Sequence, residues 1–389
     1  MDEILDKAFP DMAGLCFSCS CGRQHSVDIQ KFLIGKGIEK TIAGYVSEIA
    51  EGTVLLISDS NTYKAYGERL YNTFNGHGIK TRSFILGAAG QLVPDERTLG
   101  RLVIEIGDDI SLIVAAGSGT LNDLARFLSK KFKIPYLIAG TAPSMDGYAS
   151  VVSPLIVDGT KVTYSGVYPR AIAADLDVLK TAPIEMIHAG YGDILGKMTA
   201  LADWELSRRL NGEYYCETSV KLVHSAMQKC TDNAEGISER NEEAIGYLME
   251  ALILSGIAIG LAGISRPASG SEHHLAHYWE VSALSRGVEH PLHGNSVGVG
   301  AVVSASVYEL MEDYLPEGFQ KPDRQKIIEL LKLAGAHWNP VEIGIEKEIF
   351  RQSVIHALEI RDRYTILSFA SQKGRLNEIA DVLTERFYS

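Results

Sequence analysis

Residues 111–132 read SLIVAAGSGTLNDLARFLSKKF. The first part is a continuous apolar run, the middle is Gly117-Ser118-Gly119-Thr120, and the rest carries helical spacing. An apolar run without alternation is a strand buried on both faces, as in a parallel sheet covered by helices. Working outward, TVLLISDS (53–60), TRSFILG (81–87) and PYLIAGTAP (135–143) repeat the same kind of run. The segments between them, YKAYGERLYNTFNGHG and DERTLGRLVIEIG, are amphipathic at helical period. The pattern predicts an α/β domain with a parallel nucleotide-binding sheet. KVTYSGVYPRAIAADL (161–176) reads as a strand pair closing that domain. CSCGRQHSVDIQKFLIG reads as a glycine-turned β-hairpin.

Beyond about residue 178 the segments carry helical spacing and no strand signal interrupts them. A chain of 389 residues exceeds one ordinary core. The expected division is an α/β dinucleotide-binding domain over 1–177 and an all-α metal- and substrate-binding domain over 178–389. ALILSGIAIGLAGIS (251–265) is fifteen residues long. That is short of the roughly 20 needed to span a bilayer, so it reads as a buried helix. The net charge is −12 and no Lys/Arg block offsets it. This argues against nucleic acid and anionic membranes as partners, but not against a small anionic substrate, and with the short apolar run no membrane insertion is expected. The acidic N-terminus is no signal peptide, and five cysteines without an export signal point to reduced thiols and a cytoplasmic home. Cys16, Cys19 and Cys21 lie close together with His25 beyond, but Cys216 and Cys230 are isolated in sequence. A structural hairpin is therefore the expectation there, ahead of a metal site.

Gly117, Ser118, Gly119 and Thr120 stand between a buried strand and a helix. There backbone N–H groups and a helix N-terminus can cradle a phosphate. The third glycine of the usual dinucleotide fingerprint is missing. Asp59, closing an earlier strand, is placed to accept from a ribose hydroxyl or to cap a helix. Asp123 has the same two readings.

Five of the eleven histidines fall within residues 273–293. On a helix, His273 and His277 share one face and His274 points elsewhere. A catalytic metal takes about three protein ligands. The candidates are His273, His293 in HPLHGN, and Asp193 in AGYGDILGK.

The motifs GSGTLND, TAPSMDGYAS, GYGDILGK, RPASGSEHHLAH and HPLHGNSVGVG occur in this order over nearly the whole chain. Together they resemble the superfamily of iron-containing alcohol dehydrogenases, glycerol dehydrogenases and dehydroquinate synthases. Within it the likeness is to the sn-glycerol-1-phosphate dehydrogenases. The resemblance implies Asp193, His273 and His293 as metal ligands, with His277 lining the site. It implies Gly117, Ser118, Gly119, Thr120 and Asp123 around a pyrophosphate. Thr141, Ser144 and Asp146 would border nicotinamide and substrate, with Asp146 and His277 in catalytic roles. Asn295 stands where many relatives carry a carboxylate. The implied cofactors are NAD(H) or NADP(H) and one divalent metal, zinc or nickel before iron. The implied reaction is reversible reduction of dihydroxyacetone phosphate, a small phosphorylated ketone, to sn-glycerol 1-phosphate for glycerophospholipid synthesis. The expected assembly is a homodimer. Arg266 is the expected phosphate contact, ahead of Lys161 and Lys197. The alternatives are a glycerol dehydrogenase acting on unphosphorylated polyols and a non-catalytic metal- and nucleotide-binding module.

Overall fold

The computed structural model describes residues 2–87 and 92–389 and divides into two units. The first comprises residues 1–18, 24–143 and 147–183; the second comprises 19–23, 144–146 and 184–389. The main division falls at Pro183, with the strand and short helix over 171–179 in the first unit.

In the first unit, β1 (Cys16–Ser18) and β2 (Gln24–Ser26) form the expected hairpin, with Gly22 at φ +85° in its turn. The main sheet contains β3 (Lys31–Gly35), β4 (Thr53–Asp59), β5 (Thr81–Leu86), β6 (Ile110–Gly117), β7 (Tyr136–Gly140) and, later in the chain, β10 (Ala171–Asp175). Between β7 and β10 lie β8 (Val152–Val157) and β9 (Thr160–Ser165), which pair only with each other, antiparallel. The six main strands are all parallel in the order β3-β10-β7-β6-β4-β5. Residues 161–176 are therefore not a strand pair. β9 belongs to the hairpin, and β10 inserts between β3 and β7. Helices α1 (Glu39–Ile49), α2 (Glu68–Gly76), α3 (Glu96–Glu105) and α4 (Gly119–Phe132) make the crossovers. β7 and β10 bury every residue and β4 and β6 all but one, whereas the edge strand β5 buries only Leu86. Each fully buried Val, Leu or Ile side chain contributes about 1.5–3 kcal/mol.

Strand order reverses at β4, which has β5 on one side and β6 on the other. In open α/β sheets ligands bind at the carboxyl ends of strands flanking such a point. Asp59 ends β4 and Gly117 ends β6.

Among the described residues, the second unit is helical. Its main helices are α5 (Ile184–Asn211), α6 (Glu217–Asp232), α7 (Glu242–Ala262), α8 (Ser271–Arg286) and α9 (His293–Leu310). Helix α7 contains the apolar run noted above. The Asn241 side chain accepts from Glu243 N to start it, and Gly263 at φ +72° ends it. It is long and apolar enough to cross a membrane, but 72% of its apolar window is buried within the fold, as in a core helix.

Glycines let α5, α8 and α9 touch backbone to backbone. A Cβ on Gly294 would lie 1.8 Å from Ala189 O; one on Gly192 would lie 2.5 Å from Gly294 O. A Cβ on Gly300 would lie 2.6 Å from Glu272 O. These are backbone atoms, so neither side can yield by changing rotamer. Gly294→Ala must separate α5 from α9. It is expected to destabilise the protein by about 3 kcal/mol and lower the melting temperature by on the order of 10 °C. A thermal melt of the variant beside the wild type checks this.

Candidate functional site

The glycine loop is built from the end of β6. Gly117 is required sterically: a Cβ there would meet Leu121 Cδ1 at 2.3 Å. Ser118 is the N-cap of α4 but makes no side-chain cap bond, and Gly119 begins the helix. The loop thus leaves the first-turn N–H groups of α4, with Thr120 among them, to a ligand or water. Thr141, just past β7, donates its N–H to Gly117 O (3.0 Å) and ties the neighbouring strand end to the loop. Asp123 lies in the first turns of α4. Its carboxylate pairs with Arg126 (2.5 Å), a fully buried guanidinium that also donates to Val152 O (3.0 Å) and Gly147 O (2.5 Å). Asp123 therefore anchors Arg126 beneath the loop. Asp59 performs its capping role: Oδ1 accepts from Asn61 N (2.7 Å) and Thr62 N (2.8 Å).

In the second unit the glycine-crossed helices bring together Asp193 from α5, His273 from α8 and His293 from the start of α9. One ligand atom from each lies within 4.8 Å of the other two. The donor set suits a divalent transition metal, with one carboxylate and two imidazoles. Each ring is oriented by a carboxylate at Nδ1: Glu272 holds His273 (2.8 Å) and Glu280 holds His293 (2.6 Å). That leaves Nε2 as the coordinating nitrogen, and His273 Nε2 stands 3.7 Å from Asp193 Oδ1. Burial, reinforced by Lys197 and by His293 and His277, drives His273 well below the ordinary imidazole value. The ring is therefore neutral, the form that coordinates metal. These residues fit a bound divalent ion.

Around the triad, Asp146 donates its backbone N–H to Asp193 Oδ2 (2.9 Å) and accepts at its own Oδ2 from Ser255 (2.9 Å). Ser144, in the same short segment, is buried. Lys197 is fully buried and spends three donors, on Asp193 (2.7 Å), Asp146 (2.8 Å) and Ala268 O (3.0 Å). Burial alone would lower its pKa; the two carboxylates outweigh that and raise it, so it stays an ammonium. With its donors used it is no phosphate ligand. Arg266 is likewise unsuited to the expected role. Its Nε (2.7 Å) and Nη2 bind Glu213 in a fork, and Nη1 binds Tyr364 O (2.7 Å). It is a buried structural ion pair.

Two residues not anticipated from sequence complete the surroundings. Glu280 accepts from both His293 and His277, the latter at 3.0 Å to Nδ1. His277 Nε2 is 3.1 Å from Arg361 Nη2 and accepts its hydrogen bond. In this conformation His277 Nε2 is thus occupied by Arg361 and not open to a substrate proton. Arg361 makes no ion pair among the described residues, and burial lowers its pKa, opposed by Glu280. A partly buried guanidinium that feels Glu280 but forms no ion pair with it has donors left for an anion.

His274 is fully buried, and both of its ring nitrogens lack a hydrogen-bond partner among the described residues. Burial, then Arg363 and Arg361, push it down to about 3. The unfolded chain protonates it near its ordinary 6.5, so between those values the unfolded state binds more protons. Its contribution to stability is present above pH 6.5 and is lost as pH falls through that window. His274→Phe should abolish that loss, on the order of a few kcal/mol. Melting curves at neutral and acid pH should then show the variant gaining on the wild type as pH drops. Asn295 is also buried, with Oδ1 lacking a partner among the described residues.

Residues 33–183 match the family described as iron-containing alcohol dehydrogenase. Glycerol-1-phosphate dehydrogenase (NAD(P)+) of Bacillus licheniformis is 36% identical over 374 residues, covering 92% of this chain and 93% of its own. The enzyme of that name from Aeropyrum pernix is 32% identical over 366 residues, covering 93% and 97%. Among solved structures, sulfoacetaldehyde reductase from Bifidobacterium kashiwanohense in complex with NAD+ superposes with TM-score 0.71 at 14% identity, covering 94% of this chain and 98% of that one. Glycerol dehydrogenase from Schizosaccharomyces pombe gives 0.68 at 16%, covering 92% and 91%. The structures establish a shared fold of an α/β domain followed by a helical one; the sequence relatives go further. The chain belongs to the glycerol-1-phosphate dehydrogenase family.

Proposed function

We propose that this protein catalyses the reversible NAD(P)H-linked reduction of dihydroxyacetone phosphate to sn-glycerol 1-phosphate. The observation that carries the reading is the convergence of Asp193, His273 and His293 at neighbouring helix faces, in a chain whose relatives bear that name. When bound, the dinucleotide supplies the hydride and the divalent ion, zinc or nickel, polarises the C2 carbonyl. Asp193 Oδ1, His273 Nε2 and His293 Nε2 would hold the ion. The Gly117–Thr120 loop and the α4 N-terminus bind the pyrophosphate.

The chain's own groups do the rest. Glu272 and Glu280 fix the histidine tautomers. Lys197 holds Asp146 against Asp193, so the substrate-facing carboxylate and the ligand move as one unit. Arg361 takes the substrate phosphate in place of Arg266. With Nδ1–H on Glu280, His277 Nε2 is an acceptor. Once Arg361 turns to the phosphate, that nitrogen accepts the hydroxyl proton in the oxidation direction and returns it in reduction. The product would supply glycerophospholipid synthesis.

The test is NADH and NADPH oxidation by purified protein, before and after chelation and with zinc, nickel or iron restored. Turnover restored by metal and much faster with dihydroxyacetone phosphate than with dihydroxyacetone supports the reading. Preference for dihydroxyacetone points to a polyol dehydrogenase, and no turnover with any metal points to a non-catalytic module.

A further inference from the structure

Cys216 was isolated in sequence but is not isolated in space. Its thiol lies 3.8 Å from that of Cys19, and Cys21 joins them, with all three sulfurs within 4.8 Å of one another. Zinc–thiolate bonds of about 2.3 Å at tetrahedral angles place neighbouring sulfurs about 3.8 Å apart. The Cys19–Cys216 separation is the edge of such a tetrahedron, and far too long for a sulfur–sulfur bond.

The surroundings are donors. Cys21 N–H points at Cys19 Sγ (3.5 Å), and the Thr218 hydroxyl lies 3.2 Å from the same sulfur. Tyr214 donates its hydroxyl to Cys21 Sγ (3.3 Å), and the Arg23 guanidinium stacks 3.5 Å over the Tyr214 ring. Cys216 is the N-cap residue of α6, where the helix dipole favours negative charge. Cys19 and Cys216 are buried. N–H and O–H donors, a nearby guanidinium and a helix N-terminus are the surroundings of metal-bound sulfur, and at Cys19 they oppose a burial that on its own holds the thiol neutral. Neutral thiols packed as small apolar groups need none of them.

We propose that Cys19, Cys21 and Cys216 bind a second metal ion, of zinc type, separate from Asp193, His273 and His293. Three thiolates and one nitrogen or oxygen donor would complete a closed, structural site. The nearest imidazole along the chain is His25, four residues past Cys21. The ion would fasten the 19–23 turn to the start of α6, with no part in hydride transfer.

The experiment is metal analysis of the full chain, purified without chelator, together with thiol titration. The wild type is expected to hold two ions per chain. Titration with p-hydroxymercuribenzoate should release one zinc as three thiols react. Cys216→Ser should hold one ion fewer, whereas Cys16→Ser and Cys230→Ser should match the wild type. If Cys216→Ser does not fold, the wild-type titration and the sulfur-to-cobalt absorption of cobalt-grown protein decide the matter. Thiol modification without zinc release overturns the proposal, and so does a Cys19–Cys216 disulfide in the intact mass of fresh protein. His273→Ala should keep the thiol-bound zinc, so failure here is distinguishable from failure of the proposed activity.

Discussion

Replacing His273 by alanine is expected to lower kcat/KM for dihydroxyacetone phosphate by about a thousandfold or more. Lewis-acid stabilisation contributes several kcal/mol, and each 1.4 kcal/mol or so is tenfold in rate. The same variant should lose the ion bound by the triad, because two ligands remain where about three are needed. Glu280→Gln is the graded companion. Glu280 touches no metal in this scheme; it holds the Nδ1 atoms of His277 and His293. Loss of such an orienting carboxylate costs about 10–100-fold in metal affinity or activity. Competition with a chromophoric chelator measures the affinities, and steady-state kinetics the rates. A His273→Ala protein with full activity and undiminished metal would mean that the triad is not the catalytic centre.

Arg361→Leu should raise KM for dihydroxyacetone phosphate by about 10–100-fold, the worth of a charge-assisted hydrogen bond at about 1.5–3 kcal/mol. Dihydroxyacetone itself should be affected little, since it carries no phosphate. The ratio of the two KM values is therefore the readout, and Arg361→Lys should recover part of it. The same change at Arg266 should leave the ratio alone and cost stability, because Glu213 would be left without its buried partner. An unchanged ratio in Arg361→Leu would place the phosphate elsewhere.

The sheet was legible where strands were long and wholly apolar, as in Val54–Ile57 and Leu112–Ala116. It was not legible at β10, whose five residues pair with β3 and β7 far away in sequence. Local pattern carries no information about such pairing. Asp193, His273 and His293 could be read from residue type and flanking glycines, and the glycines are explained by helix contacts that allow no Cβ. Glu280 also left a signal. His273, His277 and Glu280 are spaced i, i+4, i+7 on one helix, a single face. Arg361 left none, since 84 residues separate it from His277. Arg266 was misread because nearness along the chain to His273 says nothing about where a long side chain finds its carboxylate. Cys216 was missed for the same reason in reverse.

The backbone contacts among α5, α8 and α9 bear on how the ligands meet their ion. Where helices touch through side chains, removing a ligand lets neighbours rearrange. Here Gly192, Gly294 and Gly300 set the separations, and peptide groups are the contact surface. Ligand spacing is then a property of the scaffold instead of the ion. The scaffold holds the three donors in register, so capture of an ion would require little reorganisation. One ion can replace another by ligand exchange, without refolding, and supply in the surroundings rather than chain geometry then decides which ion is carried.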